Sequence, residues 1–145
     1  MTEHHATTSA TIGHARAILQ DIENRWNNAA QAWNADELAS LYTSDALFFG
    51  GRPGHAVGRH EIQGYFASYA DTIGSAHMSL VEQTIVEIGV DTLVAQGHAK
   101  FRFVLANGRE TRSELRTTWI LVKRDGTWLI LQHHFSSTPE APPIQ

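Results

Sequence analysis

The stretch "KRDGTWLILQHHFSSTP", Lys123 to Pro139, reads as a turn and a β-strand that closes on two adjacent histidines. Successive strand side chains point to opposite faces, so His133 and His134 cannot both serve one site from a regular strand. Which one faces inward depends on the turn at Asp125–Gly126. A two-residue type I′ turn pairs Val122 with Leu129. A three-residue loop with Gly126 in the left-handed region pairs Val122 with Trp128 and Leu121 with Leu129. We adopt the second register because it separates two faces cleanly. Thr117, Trp119, Leu121, Leu129, Leu131, His133 and Phe135 then share one face, which suits a concave surface closed over by helices. The opposite face carries Ile120, Val122, Trp128, Ile130 and His134, a patch apolar enough to predict a homodimer through the outer side of the sheet.

Working back along the chain, β-branched and aromatic residues at period two mark three more strands, near His77–Ile88, Thr92–Leu105 and Arg109–Lys123. Gly89–Asp91 and Asn107–Gly108 supply their turns. Before Ser75 the period is helical. Ile12, Ile18, Leu19, Ile22, Trp26 and Trp33 line one long amphipathic helix over 11–33. Asn34 with Glu37 has the spacing of a capping box and opens a second short helix through Leu38, Leu41 and Tyr42. "ALFF" is a buried strand, "GGRPGHAVG" an irregular loop, and Ile62, Tyr65, Phe66, Tyr69 and Ile73 mark a third helix. Three helices before a four-stranded meander predict an α+β fold in which helices cover the concave face of a curved antiparallel sheet.

The 145 residues suffice for one domain, assigned here to 11–138, with a flexible tail at 1–10 and a loose proline-rich end at 139–145. A net charge of −4, with no long basic run, gives no reason to expect nucleic acid or an anionic membrane surface. With no cysteine there is no disulfide or thiolate chemistry, and no apolar run reaches the length of a membrane span. The start of the chain lacks the basic and apolar segments of a signal peptide, so a cytoplasmic address is expected.

Three stretches, "DELASLYTSDALFF", "GRHEIQGYF" and "RTTWILVKRDGTWLILQHHFSSTP", together with the element order, resemble the nuclear transport factor 2-like superfamily, including its SnoaL-like cyclases. The last is also similar to the association domain of calcium/calmodulin-dependent protein kinases. The resemblance implies a cone-shaped α+β fold, a pocket between the long helix and the sheet, and dimers or rings formed through the outer face. It implies no single activity, because unrelated chemistries share the cone. The positions matching the ketosteroid isomerase base, oxyanion donor and acid fall at about Gly50, at Trp26 and near Thr118 or Trp119, which argues against steroid isomerisation. The arginines of the kinase association domain match Trp119 and Phe135 here, leaving Arg102 alone, so a mainly apolar ligand is expected.

His133 is the first candidate for catalysis, as a base or acid kept neutral by burial, with Tyr65 or Trp26 as a hydrogen-bond donor. Trp119, Phe135, Thr117, Tyr42 and His98 complete the expected ligand-binding set, and Arg52 and His55 lie in the glycine-rich loop at the expected mouth. No metal or cofactor is expected. The histidines lack ligand spacing, and neither a phosphate-binding G-K-[ST] loop nor a G-x-S-x-G elbow occurs. The predicted function is binding of a small apolar molecule, with isomerase, dehydratase or cyclase chemistry on a carbonyl or polyketide-like compound. The alternative is a non-enzymatic association module.

Overall fold

The computed structural model describes residues 2–144, with side chains from residue 13 to 144. It contains α1 (Thr2–Ala30), α2 (Ala35–Ala39), β1 (Tyr42–Phe49), β2 (Ala56–Val57), α3 (Arg59–Ala67), β3 (Ile73–Gly89), β4 (Thr92–Leu105), β5 (Glu110–Arg124) and β6 (Thr127–Ser136). The fold is α+β, and one open sheet runs β2-β1-β6-β5-β4-β3. Its four-stranded meander is antiparallel as expected, while β1 joins β6 in parallel. The tail expected at 1–10, with His4 and His5, falls on residues whose side chains lie outside the described set.

The predicted stripe of α1 is its buried face. Ala15, Ile18, Leu19, Ile22, Trp26, Ala29 and Ala30 are all buried, each large apolar side chain contributing roughly 1.5–3 kcal/mol. The helix stops at Ala30 because Trp33 takes a left-handed φ of 48°. Asn34 N–H then donates back to Ala29 O. The indole N–H of Trp33 donates to Phe66 O at 2.9 Å, tying that strained position to α3. Asn34 caps α2 as its spacing predicts, its side-chain oxygen accepting Glu37 N–H at 3.0 Å. Two helices are shorter than expected: Leu41 and Tyr42 lie beyond α2, Tyr42 opening β1, and Ile73 begins β3 rather than ending α3. The glycine-rich loop contains the two-residue β2, which pairs Ala56 and Val57 with Phe48 and Leu47.

The sheet bends where β3 carries one extra residue. Glu82 and Gln83 together face only Gly97, and Glu82 takes a left-handed φ of 54°. A side chain at Gly97 would collide with the Glu82 carbonyl, so a glycine is needed there. The free edge of β3 lies under α1. Asn27 donates to Met78 O and accepts Met78 N–H, both at 2.8 Å, and Glu23 accepts Leu80 N–H. Two side chains one helical turn apart thus replace a missing strand.

The last hairpin corrects the expected register. Asp125 and Gly126 have φ of 52° and 79°, the signature of a two-residue type I′ turn, and Val122 pairs with Leu129. That register alone would turn His133 outward. A bulge at Leu131 then restores the parity, because Leu121 pairs with Ile130 but Ile120 pairs with Gln132 and Trp119 with His133. Ile130 is therefore fully buried on the concave side, and Trp128 packs against the core rather than outward. Leu129 and Leu131 leave the concave set. The outer apolar patch accordingly loses Trp128 and Ile130 and keeps Ile120. One row across the sheet reads Val86, Val94, Ile120, Gln132, Leu47 and Val57.

Candidate functional site

Between α1, α3 and the concave face of the sheet lies a cavity of about 290 Å³, near the lower end of small-molecule sites. Its floor is Trp26, Phe66, Phe101 and Phe135, all buried. Leu115 and Trp33 form the walls, and Tyr65, Tyr69, Gly51, Thr72 and Thr111 bring the polar atoms. Strand parity explains the lining from the sheet: Phe101 and Phe103 are two apart on β4, and Phe135 sits on β6 opposite Thr117. Helical spacing explains Tyr65 and Tyr69, four apart on the α3 side.

His133 lies one aromatic layer beneath the floor and is fully buried. Its ring stacks on Trp119 at 3.8 Å and meets Phe135 at 4.7 Å and Phe48 at 5.5 Å. Nδ1 is 2.8 Å from the Tyr42 hydroxyl, and Nε2 has no hydrogen-bond partner. Burial, and secondarily the neighbouring His134, holds the imidazole well below the usual histidine range, so it is neutral near pH 7. Burial also pushes the Tyr42 phenol far up, with the Trp26 indole partly opposing it, so Tyr42 stays protonated. Trp119 Nε1 and Thr117 Oγ1 are likewise buried without a partner. The concave side thus holds three unsatisfied polar atoms, His133 Nε2, Trp119 Nε1 and Thr117 Oγ1, within an aromatic core.

These features place a neutral, proton-accepting imidazole under an apolar cone. Residues 19–140 match the SnoaL-like domain. The chain belongs to this family. No curated protein matches the chain. Solved structures share the fold of this SnoaL-like domain along almost its whole length. A Xanthomonas campestris protein, whose description proposes a calcium/calmodulin-dependent protein kinase II association domain, is 28% identical with a TM-score of 0.76, covering 88% of each chain. A nuclear transport factor 2-like protein from Salmonella enterica is 19% identical with a TM-score of 0.71, covering 90% of this chain and 98% of its own. A Novosphingobium aromaticivorans protein proposed to be a scytalone dehydratase is 14% identical with a TM-score of 0.74, covering 91% and 89%.

Within this SnoaL-like domain, Tyr65, Trp26 and Phe135 reach the cavity, whereas His133, Trp119, Tyr42 and Thr117 lie behind its lining. His98 is on the opposite side of the sheet. It pairs across the strands with Arg116 and is 3.6 Å from Glu82. Arg102 is also outside the cavity, beside Glu110. Of the two loop residues, Arg52 reaches the Tyr69 ring at the mouth, while His55 stacks on Phe49. Phe66, Tyr69, Phe101, Phe103, Leu115 and Thr111 were absent from the expected ligand set. Tyr69 carried a usable signal in its spacing from Tyr65, and the β4 pair would have followed from the register of the Asn107–Gly108 hairpin. Among the described residues no group of three or more potential ligands could hold a metal ion, and no helix is long and apolar enough to cross a membrane.

Proposed function

We propose that this SnoaL-like domain binds a small, mainly apolar molecule in its cone. The observation that carries the reading is the aromatic cavity of about 290 Å³, partly open to solvent and free of charged lining residues. Replacing Leu115 by Trp fills that space. The wild type should gain thermal stability from members of an aromatic and polyketide-like panel, and Leu115→Trp should not. A panel that shifts neither protein refutes the reading. The proposal includes the cytoplasmic address expected from the sequence.

A second reading adds isomerase or lyase chemistry, supported by the neutral His133 with its free Nε2 next to the Phe135 floor. For Nε2 to act as the base, Nδ1 must carry the ring hydrogen and donate it to the Tyr42 oxygen. A C–H bond beside the ligand carbonyl then breaks, its proton passes to Nε2, and the electron pair forms an enolate. Access requires Phe135 to turn aside. In deuterated buffer, the wild type should exchange that hydrogen in a bound ketone and His133→Gln should not. Equal exchange by both proteins removes His133 from the reaction.

We also infer a homodimer through the convex face, supported by its apolar row of Val86, Val94, Ile120, Leu47 and Val57, of which Val86, Leu47 and Val57 are exposed. Light scattering should give twice the chain mass for the wild type and a monomer for Ile120→Lys. A larger closed ring would favour the association-module alternative.

A further inference from the structure

The lining residues that carry polar groups, Gly51, Tyr65, Tyr69, Thr72 and Thr111, are all at least partly exposed, whereas the most deeply buried lining residues are aromatic. Trp26 and Phe66 are 1% exposed, Phe101 4% and Phe135 8%. At the mouth, the Tyr65 oxygen accepts the Gly51 N–H at 2.8 Å. One of its lone pairs is thereby used, and its own hydrogen is shared with the neighbouring Tyr69 hydroxyl, from which it can turn to a ligand oxygen in the cavity. Burial pushes the Tyr65 phenol well above its ordinary range, so the hydrogen stays on the oxygen at any physiological pH. Gly50 makes this contact possible. A Cβ there would overlap the Tyr65 ring and Phe48, so the loop lies against the phenol with no room for a side chain.

Tyr69 stands beside Tyr65, ring centroids 5.4 Å apart, and the Arg52 guanidinium lies 4.1 Å over its ring. Arg52 is held by two bonds to Ser68, from Nε to Oγ at 2.8 Å and from Nη2 to the carbonyl at 3.2 Å. Its Nη1 has no hydrogen bond among the described residues, and Arg52 is exposed. Asp71 and Glu110 adjoin the mouth residues Thr72 and Thr111, so the rim is not uniformly positive.

We propose that the ligand is amphipathic and enters apolar end first, leaving one hydrogen-bond-accepting oxygen at the mouth on the Tyr65 hydroxyl, beside Tyr69 and Arg52. The ligand class is therefore a flat or compact hydrocarbon body ending in a ketone or a carboxylate. This orientation rests on the binding reading above and not on the chemistry assigned to His133.

Three probes of one shape test it by calorimetry: 2-acetylnaphthalene, 2-naphthoate and 2-methylnaphthalene. At least one oxygen-bearing probe should bind more tightly than 2-methylnaphthalene. Tyr65→Phe should remove that advantage, weakening the oxygen-bearing probe about fivefold to tenfold while leaving 2-methylnaphthalene unchanged. Of the two sources of the oxygen, a carboxylate is indicated if 2-naphthoate is favoured and Arg52→Gln abolishes the preference. A ketone is indicated if 2-acetylnaphthalene is favoured and Arg52→Gln has no effect. Equal binding of all three probes, indifferent to Tyr65→Phe, overturns the orientation and leaves the cavity reading intact. His133-dependent exchange beside the ketone of 2-acetylnaphthalene reverses the orientation and overturns it too. Failure of every probe to bind overturns the cavity reading itself.

Discussion

Acid should destabilise this protein through His133, and the size of the effect follows from its burial. The folded state holds the imidazole neutral, whereas the unfolded chain protonates it near pH 6.5. Below that pH the unfolded state binds one more proton than the folded state, so stability falls as pH falls, by about 1.4 kcal/mol per unit until the depressed folded value is reached. Integrated from pH 7 to pH 5, one such histidine contributes a loss of at most about 2 kcal/mol, a sizeable share of the roughly 5–15 kcal/mol typical of a domain. His133→Gln keeps a neutral polar group near Tyr42 and removes the titration. Urea unfolding at pH 7, 6 and 5 should show the wild type losing more stability than the variant over this range, by up to about 2 kcal/mol. Parallel pH dependences for the two proteins would mean that the ring is not held neutral in the fold, and the electrostatic account of the site would fail.

Tyr42→Phe removes the only partner of His133 Nδ1 among the described residues, leaving both ring nitrogens buried and unpaired. It should cost about 1–3 kcal/mol in denaturant unfolding. Asn27→Ala strips two hydrogen bonds from Met78 at the edge of β3 and should lower stability by about 1–2 kcal/mol in the same assay, with little effect on cavity ligands. Gly97→Ala meets the Glu82 carbonyl, a backbone group that cannot swing away, and should cost about 1–3 kcal/mol. Gly50→Ala instead displaces the Tyr65 ring, and its larger effect should be on ligand affinity measured by calorimetry.

Local chemistry made much of this fold legible. The runs Thr92–Leu105 and Thr127–Ser136 coincide with β4 and β6 because period-two patterning and turn dipeptides act within a few residues. The Asn34 cap was readable for the same reason. The inward aim of His133 was reached through a register the molecule does not use. The type I′ turn and the Leu131 bulge each reverse the parity, and together they give the face expected from the wrong turn. No residue type marks Leu131 as a bulge. Its signal lies in the neighbouring strands, because Ile130 N–H bonds to Leu41 O while Gln132 pairs with Leu47 of β1. The parallel β1–β6 pairing is likewise non-local, joining segments about ninety positions apart with no turn to announce it. The cavity was legible as an apolar hollow but not in its outline, since His98 and the β4 phenylalanines exchange faces with a one-residue slip.

Asn27 and Glu23 also govern what happens when the protein fails. With α1 in place, the N–H and carbonyl of Met78 and the N–H of Leu80 are already taken and closed to a stranger. Should the helix peel away, the same stretch becomes a template on which another chain can add itself, and that chain would present an identical template to the next. The helix is therefore a stopper against runaway growth as well as a roof. Heating or trimming that loosens it should yield insoluble, strand-rich material before it yields dispersed coil.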